Sequence, residues 1–200
     1  PWWSGCPTAM TMIQYSRTLG DSPWAITGVM IRSDFMNFVE PVRDRNKVQD
    51  IAEYLKFKNE RNYVMWMMGI YSGLRISDIL LLKIKDVRDR KSIIIREMKT
   101  GKQRSFEINP ILKRCLADYC QGKDPDDYLI KSREQYNRPI TRSMAYKILR
   151  DAADQFGIES MGTHTMRKTF GYHFYMQTKD VVVLQKIFNH SHPSITLRYI

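Results

Sequence analysis

The sequence predicts an α+β fold, mainly helical, in which a bundle of helices carries one small antiparallel sheet. Two observations lead there. Apolar residues recur at three- and four-residue intervals along most of the chain from Asn46 onward, the spacing that gives a helix one buried face. One pair of β-rich runs interrupts that rhythm, in KSIIIREMKTGKQRSFEI (residues 91–108), and the two runs flank a Lys99-Thr-Gly-Lys102 turn. Hydrophobic residues make up 43% of the 200, enough for a core of that size.

The elements follow in order. The first helix runs from Asn46 to about Asn59, with Val48, Ile51, Ala52 and Leu55 on one face. The second, from about Glu60 through Tyr71, is apolar nearly all round (YVMWMMGIY), so it belongs at the centre of the core. Gly73 ends it in a left-handed conformation. Ser77 caps a short third helix, DILLLKI, and leaves Arg75 in the tight joint between the two. After the hairpin, Asn109-Pro110 starts a helix to about Tyr119, a cap residue followed by proline in the first turn. Asp124-Pro-Asp-Asp is a turn, and Tyr128-Leu-Ile is a short extended piece. Thr141 caps a helix that ends near Phe156, before Gly157, and Thr163 caps the helix bearing HTMRKTFGYHFYM. Asp180 caps VVVLQKIF, which ends at Asn189, a residue that tolerates the left-handed turn. Ser194 caps a last short helix, ITLRYI.

Charge narrows the choice of partner. Lys and Arg number 32 against 21 Asp and Glu, a net +11, which favours a polyanion, most often nucleic acid. Residues 1–35 hold Arg17 and Arg32 against Asp21 and Asp34, so the excess lies in 36–200. That first stretch also lacks periodicity. It reads as a peripheral segment or one derived from an expression vector, whereas MNFVEPVRDRNKVQDIAEYL, from Met36, reads like a native start of the functional domain, 36–200. Cys6, Cys115 and Cys120 include no Cys-x-x-Cys, which indicates neither a disulfide framework nor a zinc cluster and makes the cytoplasm the expected compartment. No apolar run approaches the roughly 18 residues of a membrane span, and no basic-then-apolar signal peptide opens the chain.

Four groups of residues suggest chemistry. His164 and Arg167 share a face in the first turn of their helix, where free backbone N–H groups already favour an anion. The alternative is an exposed basic helix end with a satisfied histidine. Arg75 sits in a cramped joint, where a guanidinium needs partners; Asp78, three residues on, is a candidate to orient it, or the two form a structural pair. Lys99, near the hairpin tip, can reach a ligand held against the helices, or is solvated. His190 precedes Tyr199 by nine residues. Tyrosine is a poor nucleophile with a reference pKa near 10, but two arginines and a lysine nearby favour its phenolate; the alternative is an ordinary half-buried aromatic. His190-x-His192 has no matching Asp, Glu or Cys set, so neither a metal nor another cofactor is expected.

Together these groups resemble one family. SGLRISDILLLKIKDV (72–87), MKTGKQR (98–104), HTMRKTFGYHF (164–174) and LQKIFNHSHPSITLRYI (184–200) are similar to the tyrosine recombinases, the phage integrase family. The resemblance extends from Val39 to Ile200, the span of that family's catalytic domain, and implies its fold. Each place in the family's Arg…Lys…His-x-x-Arg…His…Tyr pattern has an occupant here. The resemblance implies that Arg75 and Arg167 clamp a phosphate, that Lys99 is a general acid, that His164 and His190 are active-site histidines and that Tyr199 is the nucleophile. It implies DNA cleavage and rejoining through a 3′-phosphotyrosine, without metal or cofactor, in site-specific recombination or integration of a mobile element. Double-stranded DNA is the implied partner, bound by a homotetramer whose subunits are often monomers when free. The same residues also suit type IB topoisomerase-like relaxation, or a DNA-binding module of this fold without catalysis. Lys83, Lys85, Arg88, Lys102, Arg104, Arg138, Arg142, Lys147 and Lys168 are candidate contacts to the DNA backbone.

The resemblance has three departures. The family usually has Leu-Gly-His where Phe188-Asn189-His190 stands; asparagine takes the same turn. The chain stops one residue after Tyr199, where members usually continue with a segment that packs on a neighbouring protomer, so a tail cut short or a disordered tail is expected. Residues 1–35 are too short and too uncharged for the helical DNA-clamp domain that commonly precedes the catalytic one.

Overall fold

The computed structural model describes residues 39–98, 101–134 and 136–200. The expectation for residues 1–35 therefore lies outside the described residues, and so does Lys99. Helix α1 (Arg45–Lys58) and helix α2 (Glu60–Ser72) meet at Asn59, which ends the first and caps the second through a side-chain oxygen that accepts from the Arg61 N–H at 2.9 Å. Helix α2 is buried on almost every face, as its sequence requires. Val64, Met65, Trp66 and Met68 have no exposed surface, and the Trp66 indole N–H donates to the Val48 carbonyl at 3.3 Å, fixing α1 against it. Each such side chain contributes about 1.5–3 kcal/mol on leaving water.

Helices α5 (Pro110–Cys120) and α7 (Thr163–Thr178) cover the other faces of α2. The α2–α7 crossing is close because residue 69 is glycine. A Cβ there would stand 2.6 Å from both Cβ and Sδ of Met166. Helix α6 (Arg142–Gln155) packs on α1 and α7. Strands β1 (Ser92–Arg96) and β2 (Gln103–Glu107) form an antiparallel hairpin with Ile95 opposite Arg104. Ile93 and Ile95 face inward, Ile94 and Arg96 outward. The short helices α3 (Ile76–Leu81), α4 (Ile84–Val87), α8 (Val181–Phe188) and α9 (Pro193–Leu197) complete the described residues, in which the predicted class holds: mainly helical with one two-stranded sheet. No helix among them is long and apolar enough to cross a membrane.

Local differences from the sequence reading share a cause. DILLLKI is not one helix: Leu82 accepts from the Leu129 N–H at 2.8 Å and Lys83 bridges to Tyr128, which breaks the run before α4; the expected extended piece is itself a turn at Leu129 and Ile130 between two isolated bridges. Three expected caps lie inside their helices. Arg75, Gly162 and His192 take the cap positions in place of Ser77, Thr163 and Ser194, because each already has extended backbone angles. Thr165 then accepts from the Gly162 N–H at 3.0 Å, and the His192 ring nitrogen Nδ1 from the Ser194 N–H at 3.3 Å.

Candidate active site

The α2–α3 joint supplies the first arginine. Gly73 ends α2 with φ 62°, and the chain turns at once into α3, which fixes Arg75 at the start of that helix. The Arg75 side chain, 15% exposed, forms an ion pair with Glu97 through Nη1 and Oε2 at 3.0 Å. The expected Arg75–Asp78 pairing is not what the structure holds. Asp78 accepts instead from the Met98 N–H at 3.1 Å, tying α3 to the end of β1.

Helix α7 supplies the second. Arg167 is 1% exposed, about as buried as an arginine can be. Its Nη1 donates to the Gly73 carbonyl at 2.6 Å and its Nη2 to the Phe188 carbonyl at 2.9 Å, while the guanidinium lies 4.2 Å over the Phe188 ring. Arg167 thus joins the end of α2 to the end of α8. Its Nε–H is buried and has no hydrogen-bond partner among the described residues. Burial, then the charge of Arg75, lowers the Arg167 pKa, opposed by Tyr199 and Glu97; it stays protonated at neutral pH.

His164, three residues earlier on α7, has an exposed side chain on the same turn. Local burial first, then the positive charges of Arg167, Arg142, Arg75 and Lys168, hold its imidazole below the usual histidine value. His190 follows Asn189, which has φ 53° and makes the left-handed turn expected after α8. The His190 Nδ1 lies 2.9 Å from the hydroxyl of Thr196, a fully buried residue on α9. If that nitrogen accepts the hydroxyl proton, Nε2 becomes the donor. The Tyr199 ring stands 5.0 Å from the His190 ring and 5.1 Å from the Phe188 ring, with the Lys168 ammonium 5.8 Å away. Gly171 leaves room for this: a Cβ there would lie 3.0 Å from the Phe188 ring and 3.4 Å from Tyr199 Cβ.

Of the six predicted residues, the structure brings Arg75, His164, Arg167, His190 and Tyr199 to one region where α2, α7, α8 and α9 meet. His192 stays outside it, as the cap of α9. Sequence reasoning missed Glu97 and the use made of Phe188 and Thr196, and it took Arg104 for a DNA-backbone contact where the structure sets it beside Glu97 and the Ser72 carbonyl. Glu97 had a signal. Two-residue alternation from Ile93 and Ile95 puts position 97 on the inward phase, where a carboxylate demands a partner. Arg104, opposite inward Ile95, had the same signal.

A cluster of arginines and histidines at the start of α7, with a tyrosine ring beside it, suits an anionic phosphoryl substrate. Comparison with known proteins places this architecture. Residues 42–200 match the model of the phage integrase family. The chain is 48% identical to the probable integrase/recombinase YoeC of Bacillus subtilis (strain 168) over 82% of its own length and 91% of that protein's. A crystal structure of XerA recombinase superposes with a TM-score of 0.69 at 24% identity, over 80% of this chain and 60% of that one. XerH site-specific recombinase bound to its difH substrate, in a pre-cleavage complex, superposes with a TM-score of 0.63 at 19% identity, over 78% of this chain and 49% of that one. The chain belongs to the phage integrase family, the tyrosine recombinases. It spans 58% and 56% of the next two curated recombinases it matches.

Proposed function

We propose that residues 36–200 form the catalytic domain of a site-specific recombinase that cuts and rejoins double-stranded DNA through Tyr199, in the integration or excision of a mobile element. The phenolic oxygen attacks a phosphodiester; a P–O bond to Tyr199 forms as the P–O5′ bond breaks, leaving a 3′-phosphotyrosine and a free 5′-hydroxyl. The phosphodiester energy is kept in the covalent link, so a second 5′-hydroxyl reverses the step and joins new strands. Arg75 and Arg167 bind the non-bridging oxygens, on which charge grows, and His190 Nε2 adds a donor. His164, its pKa lowered by partial desolvation and its cationic neighbours, takes the tyrosine proton, and Lys99 gives a proton to the leaving 5′-oxygen. Assembly on DNA as a homotetramer completes the proposal.

The observation that carries this reading is Arg167. A guanidinium buried to this depth, anchored by two backbone carbonyls and left with an unpartnered Nε–H, is a donor prepared for an anion. The test uses the full-length protein and a library of randomised duplexes nicked so that the 5′-fragment diffuses away. Wild type is expected to yield a detergent-resistant protein–DNA adduct enriched for one sequence, and Tyr199→Phe none. No adduct from wild type, or an equal yield from Tyr199→Phe, contradicts the reading.

A further inference from the structure

The carboxylate of Glu97 has no place in the reaction described above, yet it is 1% exposed and lies among the site's cations. Its Oε2 pairs with Arg75 Nη1 at 3.0 Å and accepts from the Asn189 side-chain amide at 3.4 Å. Its Oε1 lies 3.9 Å from Arg104 Nη1. Arg104 is itself held by the Ser72 carbonyl, 3.1 Å from Nη2. One carboxylate therefore links the α2–α3 joint, both strands of the hairpin and the turn that carries His190. Such burial costs several kcal/mol per ion unless each charge is matched.

Resting on the recombinase reading, we propose that Glu97 is a positioning residue of the cleavage site, which aims the Arg75 guanidinium and offsets the mutual repulsion of the site's arginines.

The local charges support this. Arg75, Arg104 and Arg167 are three cations at the joint, and Glu97, with Asp78 nearby, is the buried carboxylate set among them. The arginines feel each other: burial first lowers the Arg104 pKa, Glu97 opposes that, and Arg75 adds to it. Without Glu97 the neighbouring arginines lose the carboxylate set between them, and repulsion turns Arg75 outward. The geometry leaves Arg75 able to serve both partners, since Glu97 meets one terminal nitrogen and the guanidinium has five N–H donors. Glu97 also stands two positions before Lys99, the proposed general acid, in the sequence.

Glu97→Gln keeps the shape and removes the charge. In the full-length protein it is expected to slow single-turnover adduct formation by about 10–100-fold, to leave the dissociation constant of uncleaved DNA within about threefold, and to tighten binding of sulfate, read as a larger thermal shift per decade of sulfate at fixed ionic strength. A residue that only supports the fold would weaken cleavage, DNA binding and sulfate binding together. That parallel loss overturns the proposal, and so does an adduct rate within twofold of wild type. If wild type forms no adduct with any DNA, the recombinase reading fails by itself and sulfate decides for Glu97: tighter binding in Glu97→Gln upholds its charge-setting role, and unchanged or weaker binding refutes it. Should Glu97→Gln not fold, Asn189→Gly carries the test, since it removes one contact to Oε2 and keeps the left-handed turn. A rate reduced about threefold at unchanged DNA affinity supports the proposal, and an unchanged rate overturns it.

Discussion

Helix α2 takes part in two regions that bury their residues in opposite ways. From Val64 to Met68 it is enclosed by α1, α5 and α7, and its surroundings are methyl groups, thioethers and the Trp66 indole. One turn later, at the Ser72 and Gly73 carbonyls, the same depth holds Arg104 and Arg167, with Arg75, Glu97 and Asp78 alongside. The first region stabilises the fold by itself. The second costs the fold free energy that the first must offset, because burying like charges side by side is unfavourable without an anion between them. The contrast fits the proposal that the second region keeps charge for a phosphoryl ligand.

The largest break in this contrast is expected from Arg167→Ala. It leaves the Gly73 and Phe188 carbonyls without their donor, at about 1–3 kcal/mol each. It also removes one of the two arginines proposed to clamp the phosphate. Denaturant unfolding should give a clearly lower midpoint at unchanged slope, and adduct formation should disappear; a midpoint at the wild-type value would mean that the guanidinium is not a structural link. Gly69→Ala breaks the apolar region instead. The new methyl meets Met166 at 2.6 Å, and overpacking of this kind costs about 1–3 kcal/mol. Because α7 also carries Arg167 and His164, cleavage should fall with stability here, whereas Glu97→Gln separates the two.

A smaller effect sharpens the comparison. Phe188 is a fully buried platform for Arg167, His190 and Tyr199. Leucine fills similar volume without the ring face. Phe188→Leu should slow adduct formation by about two- to thirtyfold, the worth of one cation–π contact of roughly 0.5–2 kcal/mol, with little change in melting temperature. A wild-type rate would make the ring mere filler.

The smallest effect is acid sensitivity. His164 and His173 both have pKa values lowered first by burial; His173 lies 3.0 Å from the Val42 carbonyl through Nε2. The folded state therefore binds fewer protons than the unfolded state. Their stability contribution is present above the unfolded value near 6.5 and is lost as pH falls through the folded values. Chemical denaturation between pH 7.5 and 5 should show that decline. DNA should reverse it at His164, since a phosphate favours the imidazolium, and NMR titration should find that pKa higher in the complex.

The apolar region was largely legible in the sequence. The Val48, Ile51, Ala52 and Leu55 stripe and the all-round apolar YVMWMMGIY run specify burial by period alone, and Gly73 and Asn189 end their helices as their residue types require. The polar region was legible only as membership. Arg75, His164, Arg167, His190 and Tyr199 were named through a resemblance in order and spacing, but spacing does not say which carboxylate meets which arginine. Asp78 was the nearer in sequence, and Glu97, 22 positions from Arg75, is the partner, brought there by the hairpin fold. Helix starts were misplaced for a related reason. Ser and Thr are good caps, but Arg75, Gly162 and His192 take that position when the incoming chain is already extended.

The most direct measurement of the central claim, that the charged region is built around one phosphoryl group, is anomalous diffraction from crystals of the full-length protein soaked in tungstate. The account predicts one tetrahedral anion within hydrogen-bonding distance of Arg75, Arg167 and His190, with Tyr199 facing it, and its loss in Arg167→Ala. Tungstate bound only at exposed lysines, with those three side chains directed to separate places, would contradict it.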